Sequence, residues 1–269
     1  MKIVHLDSCG TLILFAPIRI TLRAHVAHRN VKSASSVSPV SGGFKIERLI
    51  VIRHGEAEHL IMNRIGSWTQ VQLTGRGRLQ AEALGSRLER VLKGVNFKIF
   101  SSDLKRAAQT AEIIGKALGM IPLLEPGLRE FNAGDAAGMT RGEAAKVHRE
   151  PTKPFLDWQP YPNSETWREF YVRVSAFLQH LSENCSCTPV VVAHGGTLTN
   201  IVGWWLGLDM ETLARVRVGT HARNRASFKV APASLTVLGT SNLGERTLEK
   251  LNDVNHLLLA GLLEDKLLN

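Results

Sequence analysis

The chain has 269 residues, 44% of them apolar, which is enough to bury one large hydrophobic core or two small ones. Lysine and arginine outnumber aspartate and glutamate by 33 to 24, and the resulting formal net charge of +9 suits anionic partners in general. The absence of any long run of like charges argues against nucleic-acid binding, and no stretch has the ~18–20 apolar residues that cross a bilayer.

Residues 1–45 differ in composition from the rest of the chain. No acidic residue occurs from Ser8 to Ile46, and Ser33–Gly43 has the serine, proline and glycine content of a linker. Three interpretations remain open: a non-catalytic or disordered extension, an organelle transit peptide, or translation from a start codon set too far upstream. We predict a non-catalytic extension over residues 1–45.

From Arg48 onwards, short β-branched runs alternate with segments of helical periodicity. In chain order the pattern predicts a strand at Arg48–Arg53, a helix at Thr74–Lys93, a strand at Phe97–Phe100, helices at Asp103–Leu118, Thr140–Arg149 and Glu165–Glu183, a strand at Val190–Ala193, a helix at Thr197–Leu206, and strands at Ser227–Val230, Leu235–Gly239 and Thr247–Leu251. Thr74 is the expected cap of the first helix, and the four prolines of Pro151–Asn163 indicate an irregular segment. This alternation predicts an α/β fold, a three-layer α/β/α sandwich with a mostly parallel central sheet.

The chain contains three cysteines, Cys9, Cys185 and Cys187, too few for a disulfide framework. The Cys185-x-Cys187 pair has no second ligand pair, so we predict no metal site there. We interpret the cysteines as reduced thiols, which favours a reducing compartment and a cytoplasmic location. Organelle targeting by residues 1–45 is the alternative.

Three polar clusters follow predicted strands, at the edge where open α/β sheets bind their ligands. Arg53-His54-Gly55-Glu56 follows the first strand, Ser101-Ser102-Asp103 with Arg106 follows the second, and His194-Gly195-Gly196 follows a later one. Guanidinium groups match phosphate oxygens, and glycines after each histidine let backbone N–H groups approach a ligand. A histidine among these positive charges is expected to stay neutral and nucleophilic.

A phosphate-transfer site also needs a carboxylic acid that protonates the leaving alkoxide. Glu130 is the best candidate, because it follows a strand-like segment and precedes a glycine-bearing loop.

Five ordered motifs in the chain resemble those of the histidine phosphatase superfamily, and within it the phosphoglycerate mutase-like branch (branch 1). These motifs are Arg53-His54-Gly55-Glu56, Leu73-Thr74-x-x-Gly77-x-x-Gln80-Ala81, Ser101-Ser102-Asp103-Leu104-x-Arg106-Ala107-x-Gln109-Thr110-Ala111, Leu128-x-Glu130 and Val192-Ala193-His194-Gly195-Gly196. The resemblance runs from about Leu49 to the Leu251-Asn252-Asp253-x-x-His256-Leu257 segment.

The resemblance implies a metal-independent phosphatase that needs no cofactor. In such an enzyme His54 attacks phosphorus and carries the phosphoryl group. Arg53, Arg106 and His194 hold the phosphoryl oxygens and stabilise the charge of the transition state. Glu130 protonates the leaving oxygen and then activates water against the phosphohistidine.

Phosphate and substrate contacts are predicted at seven further positions: Gly55, Gly195, His59, Asn63, Trp68, Trp158 and Tyr161. Many relatives carry an asparagine where this chain has Leu60, and we expect His59 or Asn63 to substitute for it. The aromatic residues either face a leaving group with an apolar or ring-shaped body or simply pack an irregular loop. Glu165 is either a helix-start residue or a pocket residue.

Glu130 and His194 are 64 positions apart, a shorter separation than mutases of this type generally show, which favours a phosphatase. We predict a catalytic domain over residues 46–257, a lid-like insertion over about residues 139–166 and a tail at 258–269. The expected partner is a small phosphorylated substrate, with no nucleic acid and no stable membrane insertion, and the oligomeric state is left open.

Three alternatives remain: phosphoglycerate mutase-type phosphoryl transfer, a non-catalytic phosphate-binding regulatory module, and an association role. In the last case residues 1–45 would contact a membrane, or Leu257–Leu268 would mediate oligomerisation.

Overall fold

The computed structural model describes residues 46–217 and 228–263, with the side chains of 214–217 excepted. The predicted extension at 1–45 and the end of the predicted tail lie outside these ranges, so the predicted domain boundaries stay predictions. None of the helices within the described ranges is long and apolar enough to span a membrane.

The described residues form one central sheet flanked by helices. Its strands are β1 (Arg48–Arg53), β2 (Phe97–Ser101), β3 (Leu123–Leu124), β4 (Thr188–Ala193), β5 (Leu235–Thr240) and β6 (Arg246–Asp253). The helices are α1 (Glu58–Ile61), α2 (Gly75–Val91), α3 (Lys105–Leu118), α4 (Arg141–Val147), α5 (Trp167–Asn184), α6 (Gly195–Trp205), α7 (Met210–Arg217) and α8 (Asn255–Leu259). Short 3-10 turns lie at Pro126–Leu128, Gly134–Ala136 and Phe155–Asp157.

The sheet has six strands in the order β3-β2-β4-β1-β5-β6. Strands β3, β2, β4 and β1 are parallel to one another, whereas β5 is antiparallel to β1 and β6 is antiparallel to β5. This confirms the predicted mostly parallel sheet. Arg53 of β1 pairs with Ala193 of β4, and Ser101 of β2 pairs with Val192, so these three strands end at the same edge.

Side chains of β1 point alternately to the two faces of the sheet, each of which is covered by helices. Leu49 and Val51 belong to a core formed with α5 and α6. Ile50 and Ile52 belong to a second core formed with α2, α3 and α8. The three-layer α/β/α sandwich predicted from the sequence is therefore confirmed.

The long predicted helices are found with shifts of a few residues at their ends. Thr74 caps α2, since its side chain accepts a hydrogen bond from Gly77 N, and Gly119 ends α3 in the left-handed conformation (φ 66°). The predicted strand Ser227–Val230 is wrong in its described part. Phe228–Val230 has no regular secondary structure, and the carbonyl of Val230 accepts from the side chain of Arg53.

The interpretation of Cys185 and Cys187 as reduced thiols is also wrong in this structure. The two residues lie between α5 and β4 and are joined by a disulfide, with their Cα atoms 5.4 Å apart. Two cysteines separated by one residue reach bonding distance here because the chain turns between helix and strand.

Candidate active site

His54 lies directly after β1, and its N–H donates to Ala193 O (2.9 Å), which continues the β1–β4 pairing by one residue. Its side chain is buried, and Nδ1 is 2.7 Å from the carbonyl oxygen of Gly55. Because a carbonyl can only accept, Nδ1 must carry the proton of the neutral ring. Nε2 therefore keeps a lone pair and is the nucleophilic nitrogen.

The electrostatic surroundings keep His54 neutral. Burial lowers its pKa well below the usual 6.5, and the positive charges of Arg106 and Arg53 lower the pKa further. The sequence predicted that neighbouring arginines lower the pKa of His54. The larger effect on this pKa, burial, depends on where the fold places the residue.

Two further histidines lie next to the His54 ring. The ring centroids of His194 and His59 are 5.1 and 5.7 Å from that of His54. His194 Nε2 is 2.8 Å from Ser102 Oγ, which links the end of β4 to the end of β2. Burial also lowers the pKa of His59 to about 3, so all three rings are neutral at neutral pH.

Two arginines, the half-buried Arg53 and the buried Arg106, supply positive charge at the same place. Arg53 donates through Nη1 to Val230 O (2.6 Å), and Arg106 donates through Nη1 and Nη2 to Thr69 O (3.0 Å) and Ser67 O (2.8 Å). Burial lowers the pKa of Arg106 to about 10, which leaves the guanidinium charged at neutral pH. The outer nitrogens of Arg106 are therefore held by backbone carbonyls, which fix the direction of the side chain.

Four buried nitrogens of this cluster have no hydrogen-bond partner in the described part of the chain: Arg53 Nε, Arg106 Nε, His59 Nδ1 and His194 Nδ1. A buried polar atom without a partner costs about 1–3 kcal/mol. Four such atoms, two of them on guanidinium groups, make this cluster the candidate site for an anionic ligand.

Glu130 lies near the arginines and is fixed by backbone amides. Its Oε1 accepts from Phe131 N and its Oε2 from Gly196 N at the start of α6, both at 2.8 Å. Its negative charge raises the pKa of Arg106, although burial has the larger, opposite effect. The carboxylate predicted from the sequence is therefore brought to the same cluster.

Side chains of α2 and α3 form hydrogen bonds to the backbone of the Arg53-His54-Gly55-Glu56 loop. Gly55 N donates to Thr110 Oγ1 (3.1 Å) and Glu56 N donates to Gln80 Oε1 (2.9 Å). The N–H of Gly55, predicted to contact phosphate, is thus already bonded to Thr110 in this structure. Gly195 lies beside Arg53, since a Cβ there would be 3.8 Å from Arg53 Nε.

The predicted substrate contacts fall in different places. Trp68 Nε1 donates to the main-chain oxygen of Glu130 (2.7 Å), so Trp68 fixes the backbone at Glu130. Asn63 is exposed, and its Oδ1 accepts from Arg141 Nε (2.9 Å). Trp158 is buried within the insertion. Its ring and the ring of Tyr161 both make edge-to-face contacts with the ring of His148, at centroid distances of 5.4 Å.

Glu165 lies at the start of α5, one residue before Thr166, which caps the helix. It forms a bidentate ion pair with Arg173 Nε and Nη2 (2.8 and 3.0 Å). Arg173 also donates to the main-chain oxygens of Arg129 and Glu130. Sequence reasoning missed Arg173 because it lies in an ordinary amphipathic helix without a local motif. Ser102 was part of a predicted cluster, but its bond to His194 is visible only in the fold.

Comparison with known proteins gives a consistent result. The sequence profile of the histidine phosphatase superfamily (branch 1) matches residues 49–253. The probable phosphoglycerate mutase GpmB of Photorhabdus laumondii is 32% identical over 69% of this chain and 86% of that protein. The 2,3-bisphosphoglycerate-dependent phosphoglycerate mutase of Bartonella henselae is 30% identical over 64% of this chain and 87% of that protein.

Among solved structures, the alpha-ribazole phosphatase from Shigella flexneri superposes with a TM-score of 0.63 at 25% identity, covering 77% of this chain and 96% of that one.

Proposed function

The chain belongs to the histidine phosphatase superfamily (branch 1), and from this premise we propose that it hydrolyses phosphate monoesters of small molecules through a phosphohistidine on His54. The observation that carries the proposal is the set of buried nitrogens without partners on Arg53, Arg106 and His194. These residues lie near the neutral ring of His54, and their nitrogens can donate to oxygens of a phosphoryl group.

In the first step, the lone pair of His54 Nε2 forms a bond to phosphorus while the bond between phosphorus and the ester oxygen breaks. The guanidinium groups of Arg53 and Arg106 stabilise the charge on the phosphoryl oxygens. When Ser102 donates to His194 Nε2, His194 Nδ1 carries a proton and becomes a third donor. Glu130, protonated before the step, transfers its proton to the leaving oxygen.

In the second step, Glu130 accepts a proton from a water molecule whose oxygen bonds to phosphorus. The bond to Nε2 breaks, the ring of His54 returns to its neutral form, and inorganic phosphate leaves. The carboxylate of Glu130 is held in place for both proton transfers by the backbone N–H groups of Phe131 and Gly196.

We propose that the reaction needs neither a metal ion nor a cofactor. The two guanidinium groups supply the positive charge that metal ions supply in other phosphoryl-transfer sites. The expected partner is a small phosphorylated molecule, and a cytoplasmic location stays a prediction. The Cys185–Cys187 disulfide does not favour that location, since disulfides are rare in reducing compartments.

A second candidate is mutase-type phosphoryl transfer, in which the phosphohistidine returns its phosphate to a bound intermediate. The two relatives named as phosphoglycerate mutases favour this candidate. The short separation of Glu130 and His194 and the likeness to a phosphatase structure favour hydrolysis.

The two candidates differ in their products. Wild type should release inorganic phosphate from p-nitrophenyl phosphate and from members of a panel of phosphorylated metabolites, with or without EDTA. His54→Ala should release none. Isomerisation of 3-phosphoglycerate with 2,3-bisphosphoglycerate, without phosphate release, would instead establish the mutase. Full activity of His54→Ala would refute the phosphohistidine, and inhibition by EDTA that added metal reverses would refute the metal-free mechanism.

A further inference from the structure

The Asn252-Asp253-x-x-His256 segment takes no part in the reaction described above, yet its side chains converge on one loop. This loop, residues 230–234, precedes β5 and is called here the 230–234 loop. Asn252 Oδ1 accepts from Ala231 N (2.6 Å), and His256 Nε2 donates to Ala233 O (3.0 Å). The end of β6 and the start of α8 thus hold the loop from one side.

On its other side, the 230–234 loop holds the two residues at the end of β1. Ala233 N donates to both Arg53 O (3.0 Å) and His54 O (3.2 Å), and Arg53 N donates to Ser234 O (3.3 Å). The Arg53 side chain donates through Nη1 to Val230 O (2.6 Å). The loop therefore binds Nη1 of Arg53 and leaves Nε available to a ligand.

The backbone of this loop depends on its anchors. Ala233 is fully buried and has φ 55°, a left-handed conformation that costs a non-glycine residue about 1–2 kcal/mol. Such a conformation persists only where the surrounding contacts fix it. Here the peptide of Ala233 is fixed at both ends, through its N–H by the active-site carbonyls and through its C=O by His256.

His256 is itself held in one orientation and one tautomer. The carbonyl of Ala233 can only accept and the guanidinium of Arg87 can only donate, so Nε2 carries the proton and Nδ1 accepts from Arg87 Nη1 (3.2 Å). Arg87 is in turn fixed by a bidentate ion pair with Asp253 (2.8 and 2.5 Å), whose side chain is 9% exposed. The segment forms a continuous chain of bonds from α2 to the phosphate site.

We propose that Asn252, Asp253 and His256 are positioning residues of the phosphate site, which aim Arg53 and hold His54 by fixing the 230–234 loop. This inference rests on the proposed function, since it assigns Arg53 and His54 to phosphate binding and transfer. A displacement of about 1 Å at a reacting group can cost about 100-fold in rate. Loosening the loop should therefore weaken phosphate binding and slow phosphoryl transfer.

The test uses the full chain with three variants and a matched control. His256→Leu removes both ring hydrogen bonds at similar volume, His256→Gln restores a donor towards Ala233 O, and Asn252→Gly removes the bond to Ala231 while tolerating the positive φ of that position (55°). Thr247→Val is the control. It removes one side-chain hydrogen bond, from Thr247 Oγ1 to Gly239 O (3.0 Å). This bond joins β6 to β5 near the turn between them, at the other end of the two strands from Asn252.

Three quantities are measured where circular dichroism shows each variant folded: kcat/KM for p-nitrophenyl phosphate, the inhibition constant of inorganic phosphate, and phosphate affinity by calorimetry. His256→Leu and Asn252→Gly should lower kcat/KM by about 10- to 100-fold and weaken phosphate binding. His256→Gln should recover part of the loss, and Thr247→Val should match wild type.

Wild-type kinetics and phosphate affinity in Asn252→Gly and in folded His256→Leu would overturn the inference, as would an equal loss in Thr247→Val. If His256→Leu does not fold, Asn252→Gly and His256→Gln decide the question. A wild type without turnover would refute the proposed function separately, and phosphate affinity would then still test whether the anchors position Arg53. A wild type that neither turns over nor binds phosphate would refute both.

Discussion

At the scale of single residues, the candidate active site depends on the charge state of His54 and of the arginines beside it. A histidine attacks phosphorus only when its ring is neutral, and burial together with Arg106 and Arg53 lowers the pKa of His54 well below 6.5. In the proposed reaction the same arginines then stabilise the phosphoryl group. One pair of cations would therefore help to keep His54 neutral and also bind the group that it attacks.

The role of Glu130 as the acid can be tested with leaving groups of different basicity. Glu130→Gln should lower kcat/KM for an alkyl phosphate by about 100-fold or more, because the alkoxide needs a proton in order to leave. For p-nitrophenyl phosphate, whose leaving group scarcely needs one, kcat/KM should change little. The ratio kcat/KM is used because it does not include the later hydrolysis of the phosphohistidine. An equal loss on both substrates would argue against Glu130 as the acid.

The neutral histidines should also make the protein less stable in acid. The pKa of His59 is about 3 in the folded chain and about 6.5 when unfolded, so the unfolded chain binds one more proton between these values. Stability is therefore lost as pH falls below 6.5, by up to ~1.4 kcal/mol per pH unit for this residue. In urea unfolding at pH 7 and pH 5, His59→Phe should lose less stability than wild type.

The control for this measurement is His180→Phe, since His180 is exposed on α5. It should lose as much stability between the two pH values as wild type. The same pH dependence in His59→Phe and wild type would contradict the assignment of a buried neutral ring.

At the scale of elements, the active site depends on how closely α2 approaches the loop after β1. A Cβ on Gly77, in the first turn of α2, would lie 1.9 Å from Glu56 O, whereas a Cβ on Gly75 would meet nothing within 4 Å. The helix can therefore support the Arg53-His54-Gly55-Glu56 loop only with a glycine at position 77.

Gly77→Ala should destabilise the fold by about 1–3 kcal/mol and lower kcat/KM, because the backbone of Glu56 must move. Gly75→Ala, two residues earlier in the same helix, should retain wild-type kcat/KM and equal or higher stability. Thermal unfolding and p-nitrophenyl phosphate kinetics on both variants make the comparison. Equal behaviour of the two variants would contradict the close packing of α2 on the loop.

The fold could be predicted to this extent because its elements carry local signals. β1 is a β-branched run, and α2 begins at a threonine cap. Elements with weak signals were missed. Helix α7 is short and polar, the two-residue strand β3 has exposed leucines, and the segment before β5 looked like a strand although its carbonyls serve the active site.

The site residues were predicted from their places along the chain. Arg53, His54, Arg106 and His194 belong to polar clusters that follow predicted strands, and Glu130 was chosen because it follows a strand-like segment and precedes a glycine-bearing loop. Two features depend on partners distant in the chain, which no local pattern shows: the bond of Gly55 N to Thr110 and the convergence of Asn252 and His256 on the 230–234 loop. Two others join near neighbours, the Glu165–Arg173 ion pair and the Cys185–Cys187 disulfide, and depend on how the chain turns around α5.

At the scale of the whole molecule, strands from distant parts of the sequence end at one edge of the sheet, where Arg53, His54 and His194 lie together. The insertion at about residues 139–166 is proposed to cover this edge. Two hydrogen bonds link it to the loop after α1, one from Arg141 to Asn63 Oδ1 and one from Ile65 N to Met139 O. A basic chain with a buried cationic pocket suits a small anionic substrate.

The central claim is that His54 carries the phosphoryl group, and the most direct measurement is rapid quenching of wild type with excess p-nitrophenyl phosphate, followed by mass spectrometry of its peptides under alkaline conditions that preserve phosphohistidine. We predict one phosphoryl group on the peptide containing His54, with its amount rising in Glu130→Gln as hydrolysis slows. A phosphoryl group on another residue, or turnover with no phosphorylated peptide in either protein, would contradict the account.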